Sequence, residues 1–383
     1  MQYDLKLIRE TNAYSCLECG KCTGTCPVAR YSRTFSPRQI LRGSIHNSHP
    51  DAYQFADLWS CLTCRLCDDV CPSDIKYIDF IQLIRQFQGV ENRKGTCSHS
   101  GIMESIAKIM TAGNLRQKRL DGLNGDLKIS QNSEYLYFMG CLPYFEVIFE
   151  NINVEAMNIA RNTIKILNYF DIHPQVLSDE KCCGHDSYWN GDFQTFQNLA
   201  LANLDQIKKV KAKKIITSCP ECYRSLKLDY PKYFGRQDFE VFHISEFLAE
   251  VIANKKPVLE SESQKMTFQD PCRLGRHMNI YEQPRDTLRA IAGVELVEMK
   301  HHHKRSTCCG VSGWMNCSQV SKQIQTDRLG EAKETGADIL VTSCAKCQIH
   351  FKCALNALND TTLGKEVSFQ IKDLTEVVGQ SLI

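Results

Sequence analysis

Eight cysteines in the first 71 residues form two copies of one tightly spaced metal-binding pattern. Both copies have the spacing Cys-x2-Cys-x2-Cys-x3-Cys-Pro, and they comprise Cys16, Cys19, Cys22 and Cys26, then Cys61, Cys64, Cys67 and Cys71. This spacing is typical of two-cluster ferredoxins, in which three thiolates of one loop and the pre-proline thiolate of the other hold each 4Fe-4S cubane. The pattern therefore predicts one cubane on Cys16, Cys19, Cys22 and Cys71, and a second on Cys61, Cys64, Cys67 and Cys26.

Zinc is the alternative metal for these eight cysteines. A structural zinc ion takes four tetrahedral ligands, usually supplied as two separated pairs. Four cysteines packed into eleven residues, twice along the chain, fit that arrangement poorly. The N-terminal segment is therefore predicted to be an electron-transferring iron–sulfur module.

Ten further cysteines form two sets of five, each built around a Cys-Cys-Gly tripeptide. The first set is Cys141, Cys182, Cys183, Cys219 and Cys222, and the second is Cys272, Cys308, Cys309, Cys344 and Cys347. Adjacent cysteines do not readily form a disulfide, and five thiols exceed the four that zinc takes, whereas a polynuclear cluster can use all five. The glycine lets the backbone approach such a cluster closely. A structural zinc ion or an ordinary cubane remains an alternative at each set.

The two five-cysteine sets lie in segments that match each other. The stretch Ile215–Cys222 (IITSCPEC) matches Leu340–Cys347 (LVTSCAKC), and Phe242–Val251 aligns with Phe369–Val378. Together with the repeated Cys-Cys-Gly, these matches occur in the same order in both halves, which indicates an internal duplication.

Strand and helix patterns alternate around the cysteines of the first copy. Strands are predicted at 134–139, 175–177 and 215–217, and apolar residues recur at helical spacing over 152–170 and 193–210. Such alternation predicts a parallel sheet with helices on its faces, and it places the cysteines in loops at the ends of the strands.

The N-terminal part of the chain is predicted to be helical instead. Ser36 and Pro37 form a helix start, and residues 77–87 have a helical pattern. Polar stretches at 121–134 and 253–265 are predicted linkers. The expected fold class is α+β and multidomain, with an α-helical ferredoxin domain at 1–120 and two duplicated α/β, Rossmann-like Cys-Cys-Gly (CCG) domains at 134–255 and 265–383.

Charge and hydropathy exclude several classes of protein. The 383 residues carry a formal charge of +2, which argues against a nucleic-acid-binding surface. No apolar run is long enough to span a bilayer, and Met1–Glu10 is too polar for a secretory signal. With 21 cysteines, the chain is expected in a reducing, cytoplasmic compartment, where thiols bind metals and stay free of disulfides. A Gly-x-Gly-x-x-Gly fingerprint for a flavin or nicotinamide is absent, so electrons must come from a partner.

The duplicated motif Cys-x(n)-Cys-Cys-Gly-x(n)-Cys-x2-Cys resembles the catalytic subunit of heterodisulfide reductase. The preceding module resembles that enzyme's small iron–sulfur subunit, so nearly the whole chain is similar to the fused HdrD type, which joins HdrC-like and HdrB-like parts. The resemblance implies a noncubane 4Fe-4S cluster on each five-cysteine set, with both clusters facing a cavity where a disulfide is cleaved. It also implies catalytic roles for Cys182, Cys183, Cys308 and Cys309.

The implied function is that of an iron–sulfur oxidoreductase subunit. Electrons would pass through two cubanes to the noncubane clusters, where a heterodisulfide-type or similar acceptor is reduced. A flavin-containing, HdrA-like subunit or a membrane electron-transfer subunit of a larger redox complex would supply them. The same motifs also resemble subunits of class II benzoyl-CoA reductase and of glycolate and glycerol-3-phosphate dehydrogenases. A pure electron relay is therefore the alternative function, and a zinc-stabilised scaffold is a third.

Three further features lie outside these motifs. His185, directly after the first Cys-Cys-Gly, is either a proton donor to a thiolate product or a surface histidine. The run Lys300–Arg305 (KHHHKR) is either a solvated loop or an electropositive wall for an anion. Cys97, Cys317 and Cys353 are predicted to be buried packing residues.

Overall fold

The computed structural model describes residues 9–46, 55–90, 95–123, 125–358 and 369–383. These residues pack into two compact units. The first unit contains the described residues of 1–109 together with 184–198 and 307–326. The second unit contains the described residues of 110–183, 199–306 and 327–383. All eight ferredoxin-type cysteines therefore lie in the first unit, and the whole first five-cysteine set lies in the second.

Short helices make up the N-terminal part of the chain, as predicted. They are α1 (Lys21–Thr25), α2 (Pro27–Tyr31), α3 (Pro37–His46), α4 (Phe55–Ser60), α5 (Leu66–Asp69), α6 (Tyr77–Val90) and α7 (Ile102–Met110). Ser36 Oγ accepts the backbone N–H of Gln39 at 3.3 Å, at the start of α3. This contact satisfies an N–H group that has no partner within the helix, which explains the helix start at Pro37.

The first copy of the duplicated segment alternates strands and helices. Its elements are β1 (Tyr135–Tyr137), α8 (Leu142–Ile148), α9 (Ala156–Tyr169), α10 (His185–Asn190), α11 (Phe193–Val210), β2 (Lys214–Thr217), α12 (Pro220–Arg224), α13 (Tyr230–Phe234), β3 (Glu240–His243) and α14 (Ile244–Lys255). A π-helical turn, Ser225–Asp229, joins α12 to α13. The strand predicted at 175–177 is reduced to one parallel bridge between Leu136 and Gln175.

The second copy follows a similar order and has one more strand. Its elements are β4 (Glu260–Gln269), α15 (Gly275–Met278), α16 (Glu282–Arg289), β5 (Ala292–Leu296), α17 (Gln319–Glu334), β6 (Ile339–Thr342), α18 (Ala345–Leu358), β7 (Gln370–Asp373) and α19 (Leu374–Ser381). The prediction of a linker at 253–265 is wrong in part, because β4 begins at Glu260. Across the described residues, no helix is both long and apolar enough to cross a bilayer.

Two parallel sheets are built on one plan. Their strand orders are β1-β2-β3 and β5-β4-β6-β7. Thr217 pairs with His243 in the first sheet, and Thr342 pairs with Asp373 in the second. Thr217 and Thr342 occupy equivalent positions in the two copies, so the strand pairing makes His243 equivalent to Asp373. The alignment of the two sequences pairs His243 with Gln370 instead. The predicted alignment of this stretch is therefore wrong by three residues.

Helix caps explain the correct alignment. His243 accepts a backbone N–H of the turn that follows it, and Glu246 accepts the backbone N–H of His243. Asp373 and Glu376 make the same reciprocal pair of bonds at the start of α19. Such a capping box satisfies N–H groups that have no partner within the helix. The apolar repeat of a helix is compatible with several alignments, whereas its cap occupies one position.

The two copies share a hydrophobic core within the second unit. Ile216 and Ile244 of the first copy belong to the same buried cluster as Met266, Phe268 and Leu374 of the second. Helix α9 packs against α19, and α14 packs against α16. The cysteine-bearing loops of both copies are therefore anchored to strands that rest on common apolar side chains.

Candidate metal centres

The two ferredoxin-type loops have the same backbone course. Glu18 and Thr63 have φ values of 51° and 46°, and they donate their backbone N–H groups to the sulfurs of Cys16 and Cys61 at 3.4 Å. In both loops, a residue with a left-handed backbone conformation then forms the N-cap of the helix that follows, α1 or α5. N–H···S hydrogen bonds stabilise thiolates and tune the reduction potential of a cluster bound to them.

The fourth cysteine of each motif lies with the other loop. One cavity is lined by the sulfur-bearing residues Cys16, Cys19, Cys22 and Cys71, and Cys67 also reaches it. Burial raises the pKa of Cys26, and the charges of Cys64 and Cys61 raise it further, so these thiols are neighbours. Burial likewise raises the pKa of Cys61 to about 11. Burial and, to a smaller extent, the charges of Cys61, Cys64 and Cys26 also raise the pKa of Cys67, which makes it the fourth thiol of this second group. Four thiols are the donor number that a cubane requires.

Solvent exposure distinguishes the two groups of thiols. Cys19 is exposed and Cys16 is half-buried, whereas Cys61 and Cys64 are each 8% exposed. Leu17, between the two more accessible cysteines, is 71% exposed. Among the described residues, the group that contains Cys16 is therefore the more accessible of the two to a partner molecule.

Within the first unit, hydrogen bonds connect the buried ferredoxin loop to the segments that follow the two Cys-Cys-Gly motifs. The buried guanidinium of Arg85 donates to the carbonyl oxygens of Cys61 at 2.7 Å and Trp189 at 2.9 Å. The hydroxyls of Thr63 and Ser312 lie 3.0 Å apart. Trp189 follows the first Cys-Cys-Gly and Ser312 follows the second. The loop of the buried thiol group thus contacts the segment that follows each motif.

Four thiols of the first five-cysteine set lie together in the second unit. Cys183 lies within hydrogen-bonding distance of the thiols of Cys182 and Cys222, and Cys222 lies equally close to Cys219. Hydrogen bonding between these thiols, followed by burial, raises the pKa of Cys183 and Cys222. A bound metal would reverse this effect, because metal ligation requires the thiolate.

Gly140 allows the loop of the fifth cysteine, Cys141, to approach this group. Gly140 has φ 67°, and a Cβ atom placed on it would lie 2.8 Å from the sulfur of Cys222. A side chain at position 140 would therefore be strained and would displace the Cys222 sulfur. Four grouped thiols, with a fifth cysteine in the loop that approaches them, fit a polynuclear iron–sulfur cluster better than a four-coordinate zinc ion.

A buried ion pair holds the loop that precedes Cys141. Arg119 Nη2 donates to Glu180 Oε1 at 2.9 Å and also to the carbonyl oxygen of Gly140. Glu180 in turn accepts the backbone N–H groups of Met139 and Gly140, at 3.1 and 2.6 Å. Burial raises the pKa of Glu180 to about 7, against the opposing charge of Arg119. Sequence reasoning missed both residues, since neither belongs to a recognisable motif.

Replacing Arg119 with methionine is expected to destabilise the protein by about 3–5 kcal/mol, because the buried Glu180 carboxylate loses its cation. The double variant Arg119→Met/Glu180→Gln should recover most of that loss, since no buried charge is left. Anaerobic urea unfolding followed by circular dichroism measures both values. Equal losses in the single and double variants would show that the unpaired Glu180 carboxylate is not the source of the loss.

The cysteines of the second set are divided between the two units. Cys308 and Cys309 lie in the first unit, and Cys272, Cys344 and Cys347 lie in the second. Strands β4 and β6 end at Gln269 and Thr342, shortly before Cys272 and Cys344. These cysteines therefore follow the carboxyl ends of parallel strands, as the sequence predicts.

A second ion pair joins the two Cys-x2-Cys turns within the second unit. Glu221 and Lys346 each occupy the third position of such a turn, and Lys346 Nζ lies 2.6 Å from Glu221 Oε2. Their side chains are 13% and 6% exposed. The matching tetrapeptides CPEC and CAKC already show the opposite charges. Only the tertiary structure shows that the two side chains form an ion pair. This ion pair holds the turns of the two cysteine sets against each other.

Buried basic side chains lie beside these turns. His277 Nδ1 is 3.0 Å from Arg224 Nε, and His277 Nε2 is 2.7 Å from Arg273 Nη1. All three residues are less than a tenth exposed. Arg224 also pairs with Asp229 at 3.4 Å. Cations in this position offset the negative charge that thiolate-bound clusters carry.

The structure decides two questions about residues outside the cysteine sets. His185 is 1% exposed, which excludes a surface histidine, and its Nδ1 lies 3.3 Å from Asp186 Oδ1. Cys317 is exposed, and Cys97 and Cys353 are half-buried. The prediction of buried packing is therefore wrong for these three cysteines, because the usual burial of cysteine says nothing about a particular position.

Comparison with known proteins finds two domain families along the chain. Residues 12–75 match the 4Fe-4S dicluster domain, and residues 135–227 and 266–352 each match the cysteine-rich CCG domain. The first match spans both ferredoxin-type motifs. The other two each span one strand-and-cysteine repeat.

Three known proteins illustrate what the chain is similar to. It is 27% identical to the HdrD component of dihydromethanophenazine:CoB--CoM heterodisulfide reductase in Methanosarcina barkeri, over 96% of this chain and 93% of that protein. It is 26% identical to "Probable iron-sulfur-binding oxidoreductase FadF" of Bacillus subtilis, over 99% of this chain but 61% of that protein. The crystal structure of a hypothetical protein from Helicobacter pylori is similar in fold, with a TM-score of 0.51 and 12% identity, over 80% of this chain and 59% of that one.

Proposed function

We propose that this chain, which is an iron–sulfur oxidoreductase of the heterodisulfide reductase HdrD type, uses electrons delivered one at a time to reduce a disulfide or a similar acceptor. Two cubanes would be held by Cys16, Cys19, Cys22 and Cys71 and by Cys61, Cys64, Cys67 and Cys26. Two noncubane clusters would be held by the two five-cysteine sets. The groupings of the thiols within each unit support the assignments for the two cubanes and for the first five-cysteine set. The assignment for the second set follows from its matching motif.

The proposed electron path begins at the exposed thiol group. Cys19 and the adjacent Leu17 are open to solvent, so a donor can approach the cubane there. The buried group follows. Its loop is linked to the segment after the first Cys-Cys-Gly by Arg85, and Thr63 of the loop contacts the segment after the second. These contacts are the observation on which the proposal chiefly rests, because they connect one cubane loop to the segments that follow the two Cys-Cys-Gly motifs in the chain.

Disulfide reduction accounts for the presence of two acceptor sites. Cleaving one S–S bond consumes two electrons and two protons and yields two thiols, whereas an iron–sulfur cluster supplies electrons singly. The Glu221–Lys346 ion pair holds the Cys-x2-Cys turns of both sets together, so two single-electron donors can serve one acceptor. Buried His185, next to the first Cys-Cys-Gly, is a candidate source of one proton.

A pure electron relay is the second candidate function. The chain aligns almost completely with FadF of Bacillus subtilis, a longer protein named only as an oxidoreductase. A relay needs clusters that are close enough together for electron transfer. It does not need a site that binds the final acceptor. Either function requires an electron donor, and we propose a flavoprotein or a membrane subunit of a redox complex. We propose that the chain itself works in the reducing cytoplasm.

A turnover assay separates the two functions. Anaerobically purified protein, with its clusters verified, would be supplied with reduced methyl viologen and a panel of disulfides. We expect two viologen molecules to be oxidised and two thiols to appear per disulfide consumed, with cluster-free protein as the control. Oxidation of viologen only when a partner acceptor protein is added, with no thiol formed, would support the relay.

A further inference from the structure

A histidine cluster between β5 and the second Cys-Cys-Gly has no role in the proposed function. Glu298, His302 and His303 each place one ligand atom within 4.8 Å of the others. The Nδ1 atoms of the two histidines lie 2.5 Å apart. Two imidazole nitrogens and a carboxylate oxygen are ligands that zinc and related divalent transition metals favour.

Hydrogen bonding fixes which nitrogen of His303 faces this cluster. His303 Nε2 lies 2.6 Å from Glu282 Oε1, so Nε2 carries the proton and donates it to the carboxylate. A neutral imidazole protonated at Nε2 has its lone pair on Nδ1. Metal-binding histidines are usually supported by a carboxylate in this way.

The backbone of His303 is also held in an unusual conformation. Its φ is 54°, in the left-handed region that residues with a side chain rarely adopt. Its N–H donates to Asp270 Oδ2 at 2.8 Å, and its ring stacks on Tyr281 at 5.8 Å between centroids. Strained residues persist where surrounding contacts determine their geometry, and they concentrate at binding sites.

Arg285 positions the carboxylate ligand. Its Nε and Nη2 donate to Glu298 Oε1 and Oε2 at 2.7 and 3.0 Å, and its side chain is fully buried. A carboxylate has about four lone-pair positions, so Glu298 can accept both bonds and still bind an ion. The exposed residues Lys304 and Arg305 flank the cluster, and water and salt screen their charges.

We propose that Glu298, His302 and His303 form a mononuclear site for a divalent transition metal such as zinc, separate from all cysteine sites. An ion at the usual Zn–N distance of about 2.0–2.1 Å would separate the two Nδ1 atoms to about 3.3 Å in tetrahedral geometry, with water as the fourth ligand. The ion would fix the segment that leads into Cys308. The run Lys300–Arg305 is then neither a plain solvated loop nor an anion-binding wall.

Zinc itself is the probe that tests this site. Holoprotein with verified iron content would be dialysed anaerobically against buffered Zn²⁺, and retained zinc would be measured by mass spectrometry. We expect one zinc ion per chain in the wild type and none in His303→Asn, where asparagine tolerates the left-handed backbone. Glu282→Gln should weaken binding by about 10–100-fold, as loss of a supporting carboxylate does.

His301→Ala is the matched control. His301 belongs to the same histidine run, but its Nδ1 lies 2.7 Å from Glu331 Oε1 and outside the cluster, so zinc retention should be unchanged. X-ray absorption at the zinc edge should show only nitrogen and oxygen neighbours near 2.0–2.1 Å, about 0.2–0.3 Å shorter than zinc–sulfur distances. The proposal is overturned if the wild type retains no zinc, if the bound zinc has sulfur neighbours, or if His303→Asn retains as much as His301→Ala.

Discussion

Replacing Cys182 or Cys308 with alanine is expected to lower disulfide reduction by at least about 100-fold. Each belongs to one five-cysteine set, and both sets must work together if one disulfide receives two electrons. Loss of even an outer-shell partner of a metal commonly costs about 10–100-fold, so loss of a ligand should cost at least as much. Viologen-coupled turnover with the anaerobic protein gives the measurement.

Cys353→Ala provides the control for these variants. Cys353 is a half-buried cysteine of α18 that belongs to no motif, so its removal should leave turnover unchanged. The cubane spectra of Cys182→Ala should also be unchanged, because all eight ferredoxin-type cysteines lie in the other unit. Full disulfide reduction by Cys182→Ala would exclude the first set as part of the acceptor site.

The anaerobically purified chain is expected to contain about 16 iron atoms, four for each of two cubanes and two noncubane clusters. Acid-labile sulfide should match the iron, and no zinc should be bound by sulfur. Cys64→Ser should lower the iron content by about four atoms, because it removes a ligand of one proposed cubane only. Iron and sulfide determination, combined with zinc-edge absorption, measures all three quantities.

A content of about eight iron atoms with sulfur-bound zinc would contradict the four-cluster proposal. Only the ferredoxin-type module would then hold iron, and the five-cysteine sets would be structural. Loss of all iron in folded Cys64→Ser would contradict the separation of the sites instead. Cys353→Ala again serves as the control, with an unchanged iron content expected.

The sequence was informative wherever structure depends on residues a few positions apart. The cysteine spacings predict the metal chemistry, because three thiols on one turn can reach one cluster. The helix over Phe193–Val210 has the bounds that its apolar repeat predicts, and α3 begins at Pro37 as its cap predicts. Cys219 and Cys344 follow strands because the alternation of strand and helix is itself a local pattern.

Contacts between distant residues were decided only by the tertiary structure. Arg119 meets Glu180, and Glu221 meets Lys346, across long stretches of chain. Buried ion pairs form only where the fold supplies geometry that offsets the loss of hydration, and no local pattern encodes the partner. The polar start of β4 has the composition of a linker, yet it forms a strand because pairing with β5 uses backbone groups, which every residue carries.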